Sequence, residues 1–296
     1  MQDQLLLGKS KLAVELAKKI NGEIISADSM QIYKEMNIGT AKVTENEMQG
    51  IKHYLIDFVS PEERYSVSSF KKDAEDAISN ILNAGKTPII VGGTGLYINS
   101  LIYGIEFQDE EIDLEYREKL NKIAETEGLA GLFEKAQKID PEAMKKISPN
   151  DRKRIIRVLE IFHKTGKTKT EQEIESRKND VKYNYKVFAI NMDRNKLYER
   201  IEKRVDQMLE IGLIDEVQTI YQKYSKFPTA MQGLGYKEVV QYLNNEITKE
   251  EMIEKLKKET RHYAKRQLTW FRKNDDIIWL DGDKSIDDNI KIIINS

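Results

Sequence analysis

The chain has no cysteine. That excludes disulfides and thiolate metal centres, and it fits a reducing, cytoplasmic setting. Only three histidines are present, His53, His163 and His262, far apart in sequence, so a histidine-rich metal site is not expected. No apolar run approaches the roughly 20 residues needed to cross a membrane. The start, Met1-Gln-Asp-Gln-Leu-Leu-Leu-Gly8, has neither a basic opening nor a long apolar stretch and does not read as a signal peptide. Net charge is −2, so no global field draws the chain to nucleic acid, and such binding must come from local basic patches. What is present is a globular composition, 40% hydrophobic and 33% charged over 296 residues. That is enough for one large or two modest domains.

The first hundred residues alternate helix and strand signals. Ser10 to Ile20 reads as a helix, Glu23 to Ala27 as a strand, His53 to Asp57 as a short strand, and Ser68 to Asn83 as a helix stopped by Gly85. Pro88 to Val91 reads as a buried strand that runs into Gly92-Gly-Thr-Gly95, with a further helix from Leu96. This alternation predicts an α/β fold with a parallel sheet covered on both faces. From Asp109 to about Asp180 the pattern is helical throughout, as expected of an all-helical insertion. Strand pattern returns at Tyr185 to Met192 and at Ile277 to Leu280, with helices between.

Four segments carry chemistry. The strand Glu23–Ala27 delivers Asp28 and Ser29 to its carboxyl end, where open α/β sheets bind ligands. A carboxylate there is a candidate general base; a helix cap is the equal alternative. Gly8-Lys9-Ser10 is the back half of a P-loop, in which a lysine neutralises phosphate and a hydroxyl binds Mg²⁺. Its front half is absent, since Asp3 stands where the first glycine belongs. The Gly92–Gly95 turn lets backbone approach an anion, with Thr94 offering a hydroxyl; a tight turn needing positive φ is the competing reading. Two basic stretches remain, Asn150-Asp-Arg-Lys-Arg-Ile-Ile-Arg157 and Lys255 to Lys273, the second interleaved with Tyr263, Trp270 and Phe271. Both suit RNA phosphates and bases; the first also suits a solvated helix face, and the second a surface helix of the core with Trp270 as a packing residue.

Taken together, Gly8-Lys-Ser10, Ile25-Ser-Ala-Asp-Ser-Met-Gln-Ile-Tyr33, Asn37-Ile-Gly-Thr-Ala-Lys42, Gly50-Ile-Lys-His-Tyr-Leu-Ile-Asp57, Val91-Gly-Gly-Thr-Gly-Leu-Tyr97, Asn150–Arg157, Ala230-Met-Gln-Gly-Leu-Gly-Tyr-Lys237 and Tyr263–Phe271 closely resemble the tRNA dimethylallyltransferases. The resemblance implies a P-loop NTPase-like parallel-sheet core, residues 1–108 and 181–296, with an all-helical insertion, 109–180, that grips the anticodon stem-loop. It implies transfer of a dimethylallyl group from dimethylallyl diphosphate to N6 of adenosine 37 in tRNA. Asp28 would be the base, with Thr94 helping to hold the diphosphate or the departing oxygen. Gly8, Lys9, Ser10 and Lys237 would hold diphosphate, with Mg²⁺ on Ser10. Asp28, Ser29, Met30, Gln31 and Thr94, with Lys153, Arg154, Ile155, Ile156 and Arg157 of the insertion, would contact tRNA. The Lys265-Arg266-Gln267 motif would either touch RNA or brace the core. The family is described as monomeric.

The chain departs from the family's pattern at Asp3 to Leu7, and the expected first strand would lie before Met1. A negative charge in the phosphate cradle predicts weak diphosphate binding and impaired activity. Three rivals share parts of the pattern. A P-loop kinase for a small metabolite needs no basic insertion. An adenylate isopentenyltransferase acts on a free nucleotide and needs no anticodon grip. A non-catalytic tRNA-binding protein needs no base at Asp28.

Overall fold

The structure is a computed structural model that describes residues 8–107, 113–176 and 181–296. The reading of Asp3 to Leu7, and the insertion boundaries at 109 and 180, fall on residues outside that set. The chain divides into two compact units, one of residues 1–99 and 184–296 and the other of residues 100–183.

In the first unit α1 (Lys9–Lys19) leads into β1 (Gly22–Ser26), α2 (Glu45–Met48), β2 (His53–Tyr54), α3 (Val67–Asn83), β3 (Thr87–Val91) and the start of α4 (Gly95–Ile102). The strands form a parallel sheet in the order β2-β1-β3, with Ile24 opposite both His53 and Ile89. Every residue of β1 is buried, which matches a central strand covered on both faces. Its one charge, Glu23, is satisfied by Lys86 at 2.6 Å and the Tyr54 hydroxyl at 2.7 Å, as a buried carboxylate requires. Two expectations need correction. β3 is half-buried rather than buried, because it is the edge strand of this sheet among the described residues. The strand expected over His53–Asp57 stops at Tyr54, because Leu55 and Asp57 adopt left-handed φ of 57° and 56°, which no strand accommodates.

The second unit holds α5 (Leu114–Thr126), α6 (Ala130–Ile139), α7 (Pro141–Met144), α8 (Arg152–Thr165) and α9 (Lys169–Ser176). Its core gathers Leu120, Leu132, Ala136, Met144, Ile155, Ile156 and Leu159. The chain returns to the first unit with β4 (Phe188–Asn191), α10 (Arg194–Glu210), α11 (Leu213–Lys223), α12 (Tyr236–Leu243), α13 (Lys249–Phe271), β5 (Ile278–Asp281) and α14 (Ile286–Asn295). β4 and β5 pair in parallel. Leu12 and Leu16 of α1 pack with Ile190, Leu280 and Ile290, so α1 joins this strand pair to the N-terminal elements. A larger core packs Ile32, Tyr33 and Met36, from the segment after β1, against Leu213, Val217, Tyr236, Val239 and Leu256. That packing sets the polar segment beyond β1 between the sheet and the C-terminal helices.

Candidate active site

β1 ends at Ser26, and the next two residues turn off the sheet. The Asp28 carboxylate is split between two tasks. Its Oδ1 accepts the backbone N–H groups of Met30 at 2.9 Å and Gln31 at 3.3 Å. Its Oδ2 has no hydrogen-bond partner among the described residues. No helix begins after Asp28, the next being α2 at Glu45, so the helix-cap reading does not hold. Its Oδ1 instead fixes a turn through Met30 and Gln31, and the other oxygen is a candidate proton acceptor.

The Gly92–Gly95 turn lies beside it. Thr94 N–H donates to Ala27 O at 3.2 Å, and Ser29 N–H donates to Thr94 Oγ1 at 3.0 Å. Thr94 Oγ1 also lies 3.2 Å from Ser29 Oγ. None of these glycines has positive φ, so the reading of a turn that needs positive φ does not hold. They are required by close approach. A Cβ on Gly92 would lie 2.1 Å from Ala27 O, one on Gly93 2.0 Å from Gln267 Nε2, and one on Gly95 2.5 Å from the Trp270 ring. Helix α13 thus braces the turn, with Gln267 Nε2 donating to Gly93 O at 2.9 Å. The Tyr263 phenol interacts with both Gln267 and Thr94. Of the two roles left open for the Lys265-Arg266-Gln267 motif, bracing is the one Gln267 has here. Lys265 and Arg266 are exposed.

Gly8 caps α1 with φ 66°. Lys9, the first helical residue, directs Nζ toward Gly92 O at 3.5 Å. Burial pushes the Lys9 ammonium below its usual range, Asp28 opposes that, and Arg204 adds to it. Burial likewise pushes the Arg204 guanidinium down to about 10, again opposed by Asp28. Two largely desolvated cations and one carboxylate therefore share a field, and among the described residues no ion pair within 4 Å joins them. An anion placed between Lys9 and Arg204 would relieve their repulsion. Arg204 escaped the sequence reading. Its only signal is a charge set among core positions of α10, three residues after Ile201 and one before Val205, both buried.

The other expected residues fall in different places. Ser10 follows Lys9 in the first turn of α1, half-buried. Gln31 lies inside a loop network, with Nε2 donating to Thr40 O at 3.1 Å and Ala41 O at 3.2 Å. Met30 packs against Gly233. Lys237 is exposed on α12, and among the described residues no hydrogen bond or ion pair joins its side chain to Lys9, Ser10 or Thr94. In the second unit, Lys153 and Arg154 are exposed at the start of α8, and Arg157 is half-exposed. Ile155 and Ile156 are 0% and 5% exposed. Direct side-chain contact between RNA and these two is corrected: they are core residues, since an amphipathic helix buries the side opposite its charges.

A parallel sheet whose strand ends carry Asp28 and a glycine turn, approached by the lysine of a Gly-Lys-Ser helix start, defines the P-loop NTPase-like class of α/β proteins. Comparison with known proteins narrows the class. The family model described as IPP transferase matches residues 31–274. A tRNA dimethylallyltransferase of Acetivibrio thermocellus is 53% identical over 289 residues, 97% of this chain and 92% of the relative. One from Caldanaerobacter subterraneus is 52% identical over 92% of this chain and 87% of the relative. Among solved structures, the tRNA isopentenylpyrophosphate transferase of Bacillus halodurans aligns with TM-score 0.72 at 43% identity, covering 98% of this chain and 91% of the other. A eukaryotic dimethylallyltransferase acting on tRNA aligns with TM-score 0.74 at 34% identity, covering 93% and 71%. The chain belongs to the IPP transferase family.

Proposed function

We propose that the chain transfers a dimethylallyl group from dimethylallyl diphosphate to N6 of an adenosine in tRNA, adenosine 37 beside the anticodon, and releases diphosphate. The observation that carries this reading is the divided carboxylate of Asp28, with one oxygen held and one open, in the field of Lys9 and Arg204. In the reaction the N6 lone pair attacks the allylic carbon. The carbon–oxygen bond breaks and its electron pair leaves on the diphosphate. The N6 proton passes to the open oxygen of Asp28. An adenine amine is a poor nucleophile, and general-base help of this kind contributes about 10²–10⁴-fold. Lys9, Arg204 and the N–H groups at the start of α1 would meet the charge that grows on the leaving group, where fixed donors are most effective. Thr94 would hold the bridging oxygen or a neighbouring phosphate oxygen.

No group of three or more acidic or histidine side chains among the described residues could hold a metal ion on its own. The donor set fits a cation carried by the substrate, since Mg²⁺ takes one or two protein oxygens and completes its shell with phosphate and water. Ser10 would supply the protein oxygen, and the ion would add charge neutralisation at the diphosphate. In the second unit Lys153, Arg154 and Arg157 offer a cationic helix face suited to the phosphates of an anticodon stem-loop. That face favours tRNA over a free nucleotide as acceptor. We take the chain to act as a monomer.

The test is transfer of labelled dimethylallyl from its diphosphate to tRNA and, separately, to AMP, by the protein and by Asp28→Asn. The expected result is label in tRNA only, lost by at least about 100-fold in the variant, with tRNA binding retained. Label in AMP, or full activity without the Asp28 carboxylate, would overturn the reading.

A further inference from the structure

The loop after the catalytic segment contains a feature the reaction does not use. Three successive backbone N–H groups, those of Asn37, Ile38 and Gly39, converge on one carboxylate. Glu216 of α11 accepts Asn37 N–H at 2.9 Å and Ile38 N–H at 2.7 Å on Oε2. It accepts Gly39 N–H at 3.1 Å and the Tyr236 hydroxyl at 2.6 Å on Oε1. Consecutive N–H groups of this kind form an anion-binding concavity, and here the protein fills it with its own side chain. A carboxylate has about four acceptor positions. Those of Glu216 are all taken, so it has no capacity left to bind substrate or receive its proton.

The clamp reaches the site through a short chain of contacts. With residues 37–39 fixed, the loop closes on itself: Ala41 N–H donates to Ile38 O, Lys42 N–H to Asn37 O, and Thr40 Oγ1 to Met36 O. Gly39 packs closely against the Tyr236 ring, where a Cβ would stand 2.5 Å from Cε2. Thr40 and Ala41 then present two carbonyls to the Gln31 amide, which gives up both Nε2 hydrogens to them. That settles which end of the amide is which. Gln31 Oε1 is left as an acceptor with no donor among the described residues, three residues from Asp28 on the same turn.

We propose that Glu216 is a positioning residue for the transfer. It holds the 37–41 loop so that Gln31 offers an acceptor, not a donor, to the N–H-bearing edge of the target base beside Asp28. This rests on the transfer reading above. Among the described residues no hydrogen bond or ion pair joins Glu216 to the diphosphate side of the site, Lys9, Ser10, Thr94 and Arg204, so the affinity of that side stays unchanged.

The test is steady-state transfer to an anticodon stem-loop RNA, with inorganic pyrophosphate binding as the second readout, for Glu216→Gln, Gln31→Ala and the double variant. Glu216→Gln keeps the volume and loses acceptors. The expected result is a fall of about 10- to 100-fold in kcat/KM for RNA, the range a small misplacement produces, with pyrophosphate affinity held within about twofold. The double variant falls no further than Gln31→Ala, because both act through one group. Tyr236→Phe removes one of the four bonds and keeps the ring on Gly39. It gives a smaller loss in the same direction and serves if Glu216→Gln does not fold. Unchanged RNA kinetics in Glu216→Gln, losses that multiply with Gln31→Ala, or an equal loss of pyrophosphate binding would overturn the proposal. No transfer by the unaltered protein would instead overturn the function on which it rests.

Discussion

Replacing Gly92 by alanine tests how the site is held together. The backbone at Gly92 does not have positive φ, so alanine is conformationally allowed there and the whole cost is steric. The new methyl would lie 2.1 Å from Ala27 O, 2.3 Å from Ala27 C and 2.7 Å from Ala27 Cα. These are backbone atoms at the end of the central strand, and they cannot swing aside. Relief requires parting β1 from β3 at their carboxyl ends. Three bonds are at risk: Ala27 N–H to Val91 O at 2.7 Å, Thr94 N–H to Ala27 O at 3.2 Å and Ser29 N–H to Thr94 Oγ1 at 3.0 Å. Losing two at about 1 kcal/mol each, with an overpacking cost of about 1–3 kcal/mol, gives a destabilisation of about 3–5 kcal/mol. For a unit of this size the melting midpoint falls by roughly 10 °C. Pyrophosphate binding weakens with it, because Thr94 leaves its place beside Ser29. Gly93→Ala is the internal control. Its methyl meets the far end of the Gln267 side chain, 2.0 Å from Nε2, which can rotate away. Its cost is one hydrogen bond, about 1 kcal/mol. Urea unfolding of both variants, with calorimetric titration of pyrophosphate, decides the matter. If Gly92→Ala is no more destabilised than Gly93→Ala, the close approach of the turn to Ala27 is not what fixes the site.

Two further outcomes follow from the electrostatics. The folded Lys9 ammonium titrates below the ordinary lysine value of 10.5 because burial disfavours its charge, so pyrophosphate affinity measured by calorimetry should fall as pH rises, with its midpoint under 10.5. Lys9→Arg, whose guanidinium has an ordinary pKa well above that of an ammonium, should move that midpoint upward, and an unchanged midpoint in the variant would remove Lys9 from the anion site. On the second unit, Lys153→Ala with Arg154→Ala should lower the slope of log tRNA affinity against log salt by up to about 0.9 per lost phosphate contact, with the melting midpoint nearly constant because both side chains are exposed. A filter-binding series across salt checks it, and an unchanged slope would move the RNA face elsewhere.

Local pattern and motif spacing were enough to place Asp28 at the end of a strand, to put the glycine turn between β3 and α4, and to set Lys153 and Arg154 opposite a buried face. Periodicity carries that information, because side-chain direction follows from position within a helix or strand. Among the described residues no helix is long and apolar enough to cross a membrane.

Other properties depend on residues far apart in sequence. Arg204 shares the field of Lys9 and Asp28 through the packing of α10; its place among the core positions of that helix marks it locally, but not the groups it faces. The three glycines are needed because Ala27, Gln267 and Trp270 close on them, not because of the turn's own dihedrals. The loop at residues 37–39 binds a carboxylate from 177 to 179 positions away. The sequence by itself determined the alternation of elements and the residue types at the strand ends, since both are written in short-range periodicity and spacing. Only the tertiary structure decided which oxygen of Asp28 stays open and which distant cations and carboxylates surround it, because those depend on packing between elements that no local pattern records.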